Sequence, residues 1–103
     1  MTTFQADPAP GANGEPVIVL SGDLDLASAD AFVATATDAV ATLSVLRLDL
    51  SDITFMDSTG LGALIKVRNL MIDRGGSVVL VGVSPAVARV LELTGMSDVF
   101  GAG

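Results

Sequence analysis

The chain has 103 residues, 50 % apolar and 17 % charged, which describes one small domain with the apolar mass for its own core and too little charge for a disordered tail. It contains neither cysteine nor histidine, so disulfides, thiolate nucleophiles, Cys/His zinc sites and imidazole bases are excluded. Twelve acidic residues against five basic ones leave a net charge of −7, the wrong sign for binding nucleic acid or an anionic membrane surface.

No apolar run approaches the roughly 20 residues of a bilayer span, and Met1-Thr2-Thr3-Phe4 lacks the basic and apolar regions of a secretory leader. The expectation is a cytoplasmic domain. Thr2–Gln5 reads as a short edge strand. The turn-rich stretch Ala6–Gly14, closing on Asn13-Gly14, reads as a ragged hairpin connection, so residues 1–15 are the least regular part of a single domain spanning 1–103. Pro16–Ser21, with its run Val17-Ile18-Val19-Leu20, reads as a buried strand.

Ser28 is placed to cap a first helix, with Asp30 against its positive end and Phe32, Ala36, Val40 and Leu43 on one apolar face. Val45–Leu50 alternates, Leu46, Leu48 and Leu50 pointing one way and Val45, Arg47 and Asp49 the other. A second helix is expected from about Thr59 to Asp73, stopped by Gly75-Gly76. Gly60, Ala63, Leu64, Val67, Leu70 and Met71 form its core face. Leu61, Ile65, Arg68 and Ile72 form a second stripe, and Lys66, Asn69 and Asp73 are solvated. Ser77–Val81 is another strand. Ser84-Pro85 opens a third helix that Gly95 ends, and Val99-Phe100 is a candidate last strand. Strands alternating with helices indicate an α/β fold, a mixed sheet of four or five strands flanked by three or four helices.

The chemistry concentrates between Asp49 and Gly62. A strand ends, Phe55 and Met56 are expected to dip back to the core, and Asp57-Ser58 falls where a helix must begin. A hydroxyl there lies beside unpaired amides and the positive end of the helix dipole, a place that accommodates a phosphate; plain helix capping by Asp57 and Ser58 is the alternative. Gly60 and Gly62 in a first helical turn each cost about 1 kcal/mol relative to alanine. Their bare backbone suits close approach by a partner chain or a nucleotide, or else tight packing against a neighbouring element. A dinucleotide fingerprint would need a third glycine where Ile65 stands, and a hydrolase nucleophile elbow would need glycine where Met56 stands. Asp23 and Asp25, two residues apart in an acidic loop, are weak candidates for acid–base chemistry or a magnesium site.

The run Asp49-Leu50-Ser51-Asp52 through Phe55-Met56-Asp57-Ser58-Thr59-Gly60-Leu61-Gly62 resembles the signature of STAS domains, specifically the anti-sigma factor antagonists. Leu20-Ser21-Gly22-Asp23-Leu24-Asp25 is similar to the family's Gly-Glu-Leu-Asp turn, and Val83-Ser84-Pro85-Ala86-Val87 to the start of its third helix. The resemblance covers residues 16–100, while the proline- and glycine-rich N-terminal connection departs from it. It implies a STAS-like fold and a small cytoplasmic switch protein; a monomer without a cofactor is expected, and the missing histidine and cysteine argue against an enzyme. Its serine, here Ser58, is phosphorylated by an anti-sigma factor that is a serine kinase. The unphosphorylated form binds that kinase and frees the sigma factor, and a PP2C-type phosphatase resets the switch. By the same resemblance Asp57, Thr59, Gly60, Leu61 and Gly62 flank the site, and Asp25, with Asp23, lies near it. Leu61, one turn from Ser58, is expected at the partner interface. The competing reading is a STAS subunit of a transport complex, or a STAS module that binds a small ligand or nucleotide.

Overall fold

The Leu46/Leu48/Leu50 alternation forms the centre of a four-stranded sheet, with all three side chains fully buried, in a computed structural model that describes residues 3–11 and 16–100. The elements are β1 (Gln5–Pro10), β2 (Pro16–Leu24), α1 (Ala29–Val40), β3 (Val45–Met56), α2 (Ser58–Asp73), β4 (Ser77–Val83) and α3 (Pro85–Thr94). The strand order is β1-β2-β3-β4, antiparallel between β1 and β2 and parallel thereafter, so the sheet is mixed. The crossovers α1 and α2 advance the sheet in the same direction. Right-handed connections therefore put both helices on one face, where they pack on each other. Register carries the buried side chains in rows: Ile18 pairs with Leu48, and Leu48 with Leu80.

Three expectations change. The first strand is Gln5–Pro10 and not Thr2–Gln5, although it contains Pro8 and Pro10. The two prolines are two residues apart, so they turn the same side of the backbone, and an edge strand has a side with no ladder to lose. The Asn13-Gly14 turn lies outside the described residues, as does the Val40 side chain expected on the apolar face of α1. β3 does not end at Leu50. It runs on to Met56, with register shifts against β2 between Val19 and Ser21 and between Gly22 and Asp23. At each shift β3 inserts an extra residue, so its buried positions step from Leu46, Leu48 and Leu50 to Ile53 and Met56. Phe55, paired with Asp23 and next to the buried Met56, faces out by strand alternation and does not enter the core. Finally, Val99-Phe100 belongs to a turn, from which Phe100 closes the end of the core.

The helix ends follow their residues. Ser84 accepts the Val87 N–H with Pro85 as the first helical residue, and α3 stops at Gly95 with φ 72°. α2 ends with Gly75 at φ 77° and the Gly76 N–H on the Met71 carbonyl at 2.8 Å, a left-handed cap that needs glycine.

Candidate functional site

The carboxyl ends of β2 and β3 lie side by side, Asp23 paired with Phe55 and Leu24 with Met56. One residue beyond, the Asp57 N–H reaches the Leu24 carbonyl at 3.4 Å and joins the start of α2 to the end of β2. Asp57 is extended, with φ −112° and ψ −172°, and its carboxylate accepts the Gly60 N–H at 2.9 Å. Asp57 is therefore the capping residue, and Ser58 is the first residue of the helix. Ser58 is exposed, and among the described residues no hydrogen bond holds its hydroxyl.

The two glycines separate. Gly60 is buried against the Leu24 backbone, where any Cβ would overlap the carbonyl oxygen and lie 2.9 Å from the carbonyl carbon. Close packing of α2 on β2 explains it. Gly62 is exposed, with nothing within 4 Å of the place a Cβ would occupy. Thr59 is half-buried. Leu61 departs from expectation: it is only 7 % exposed and belongs to the core, so its side chain offers no docking surface. The second stripe of α2 rolls inward at this end because Gly60 lets the helix sink onto β2. Further along, Ile72 stays exposed.

Asp23 and Asp25 are held by a braced loop. The Asp23 carboxylate accepts the Thr54 hydroxyl at 2.9 Å, across the β2–β3 pair. The Asp25 carboxylate accepts the Ala27 N–H at 3.0 Å, an Asx turn. Ser28 does not cap α1 with its side chain as expected. Its hydroxyl donates to the Asp23 carbonyl at 2.7 Å and accepts the Asp25 N–H at 3.0 Å, while the Asp25 carbonyl takes the Ser28 and Ala29 amides. The loop thus sits directly beside the first turn of α2, fixed through Leu24. Thr54 escaped the sequence reading, and Ser28 was read as a plain helix cap, because their partners are set by strand register and a loop turn. An isolated threonine at the end of a strand was the one available signal.

Among the described residues there is no group of three or more His, Cys, Asp or Glu side chains arranged to hold a metal ion. Among the same residues no helix is long and apolar enough to cross a membrane. The site is an exposed hydroxyl at a helix start, next to the capping Asp57 and one strand end away from the Asp23–Ser28 loop.

A STAS domain model matches residues 8–102. An anti-sigma-B factor antagonist from Listeria monocytogenes is 42 % identical over 53 % of this chain, and the match spans about half, 48 %, of that relative's length. An anti-sigma F factor antagonist from Paenibacillus polymyxa is 31 % identical over 81 % of this chain and 73 % of its own. The crystal structure of an anti-sigma factor antagonist from Mycobacterium paratuberculosis superposes with a TM-score of 0.80 at 27 % identity, covering 95 % of this chain and 83 % of that one.

Proposed function

The chain belongs to the STAS domain family, among its anti-sigma factor antagonists, and from that premise we propose that it is a cytoplasmic switch protein which binds a serine-kinase anti-sigma factor through the surface around Ser58. Binding in the unphosphorylated state releases the sigma factor. Phosphorylation of Ser58 ends the binding, and a PP2C-type phosphatase restores it.

The observation that carries this reading is the state of the Ser58 hydroxyl. Asp57 caps the helix, so Ser58 is exposed and unbonded at the first position of α2. In this reading the catalytic groups and the ATP belong to the partner. There the Ser58 oxygen bonds to the γ-phosphorus, the bond from that phosphorus to the β–γ bridging oxygen breaks, ADP leaves, and the hydroxyl proton passes to a base of the partner. The phosphatase adds water to the phosphorus and releases inorganic phosphate.

The phosphate brings about −1.5 to −2 charges at neutral pH. The amino end of α2 tolerates them through its dipole and unpaired amides, so the fold survives. Docking does not, because a dianion beside Asp57, Asp23 and Asp25 would have to be stripped of water against the partner. Incubation of the chain with the kinase and labelled ATP tests the reading. Label is expected on the wild type and absent from Ser58→Ala, with the phosphorylated protein binding at least tenfold more weakly. Equal affinity of the two forms would refute it.

A further inference from the structure

The site carries two large apolar side chains that the core does not use. Leu26, in the loop between β2 and α1, is 78 % exposed, and Phe55, the penultimate residue of β3, is 49 % exposed. Scattered singly, exposed apolar residues need no explanation. These two stand on the strand end and the loop that adjoin the start of α2. Phe55 is the cross-strand neighbour of Asp23 and stands three residues before Ser58. Leu26 is two residues past Leu24, whose carbonyl takes the Asp57 N–H and abuts Gly60.

Neither side chain is out by accident of a loose segment. Phe55 pairs with Asp23 and precedes the buried Met56, so strand alternation turns it outward. The Asx turn on Asp25 and the Ser28 hydroxyl hold the loop that presents Leu26. The segments that carry them are acidic. Asp23, Asp25 and Asp57 border the patch, and Arg47 is the only lysine or arginine between Pro16 and Ile65. Arg47 sits in the amino-terminal part of β3, paired with Val17 and Val79, away from the end that carries Ser58.

We propose that Leu26 and Phe55 are the apolar anchors with which the Ser58 surface docks, and that the partner receives them in apolar recesses bordered by lysine or arginine side chains. The proposal rests on the switch reading above and specifies the partner's surface. Fixed apolar side chains inside a polar border are the usual form of an energetic hot spot, and complementary charge at the border sets register and on-rate. The sign is consistent with the switch. Ser58 itself must face the phosphates of the partner's nucleotide, so a phosphate on Ser58 is repelled there, while the carboxylates on either side meet cations.

The test titrates each purified serine-kinase anti-sigma factor from the same genome, loaded with ADP, against the wild type, Leu26→Ser, Phe55→Ser and, as a control on the distant end of α3, Leu93→Ser. Leu26→Ser and Phe55→Ser should each weaken binding at least tenfold with an unchanged circular dichroism melt, and Leu93→Ser should bind as the wild type does. Because all three positions are exposed, the variants are expected to fold. A second pair, Leu26→Glu and Leu26→Arg, reads the border: Arg should bind more weakly than Glu, and affinity should fall as salt rises. Wild-type affinity in both serine variants, or Arg binding as well as Glu, would overturn the anchors while leaving the switch reading intact. Failure of the wild type to bind any of these kinases would overturn the switch reading and the anchors with it.

Discussion

The Leu24 carbonyl occupies the space that a Cβ on Gly60 would need, so the last residue of β2 and the first turn of α2 leave no room for a side chain between them. The same carbonyl accepts the Asp57 N–H. This pair of contacts places Ser58 beside the Asp23–Ser28 loop, and the site is as rigid as that junction.

Gly60→Ala should therefore destabilise the domain by about 1–3 kcal/mol, since overpacking against backbone outweighs the gain of about 1 kcal/mol in helix propensity. Gly62→Ala should stabilise it by up to about 1 kcal/mol, as its Cβ points into open space. Urea unfolding followed by far-UV circular dichroism checks both, because the chain has no tryptophan or tyrosine to follow by fluorescence. Of the two readings of the glycine pair, close approach by a partner or tight packing on a neighbouring element, Gly60 takes the second. Equal stability of the two variants would contradict the Leu24 contact.

Cap loss belongs to Asp57. Asp57→Ala should cost about 0.5–2 kcal/mol by releasing the Gly60 amide, whereas Ser58→Ala, whose hydroxyl bonds to nothing, should lie within about 0.5 kcal/mol of the wild type. The same unfolding curves decide it, and a larger loss in Ser58→Ala would show that serine to be the cap.

Binding should order the Ser58 variants differently from stability. Ser58→Ala is expected to hold the anti-sigma kinase persistently. Ser58→Asp should fold normally yet bind more weakly, by less than the phosphorylated protein, since one carboxylate carries less charge and fewer acceptor oxygens than a phosphate. Calorimetric titration of all four forms measures this order; a Ser58→Asp variant that binds as tightly as Ser58→Ala would exclude a charge-based switch.

Ser28→Ala should be costlier than its position suggests. The Ser28 hydroxyl serves the Asp23 carbonyl and the Asp25 amide together, and removing it takes both bonds away at a cost of about 1–3 kcal/mol. Partner affinity should fall as well, through the loosened Leu26 loop. Ser28→Thr, which keeps the hydroxyl, should restore part of both, as read by melts and titration together.

Local order was legible wherever a residue decides its own neighbourhood. The Leu46/Leu48/Leu50 alternation, the Ser84-Pro85 helix start and the Gly75-Gly76 and Gly95 stops each act within a few residues, and the structure has them where the sequence puts them. The Asp57-Ser58 helix start was legible in the same way, to within one residue.

What the sequence determined alone is thus the α/β order, the exclusion of thiol and imidazole chemistry, and a hydroxyl at the amino end of a helix. The tertiary structure decided what depends on contacts between distant segments. Pairing with β2 carried β3 on to Met56 and set Phe55 beside Asp23 on the outer side of the sheet. The Leu24 carbonyl accounted for Gly60 and drew Leu61 into the core. The Asp23 and Asp25 backbone took the Ser28 hydroxyl away from its own helix. Edge position let Pro8 and Pro10 stand in a strand that their local preference denied them. In each case a neighbour far along the chain supplied a hydrogen bond or a steric limit, and such terms outweigh the tenths of a kcal/mol by which local propensities differ.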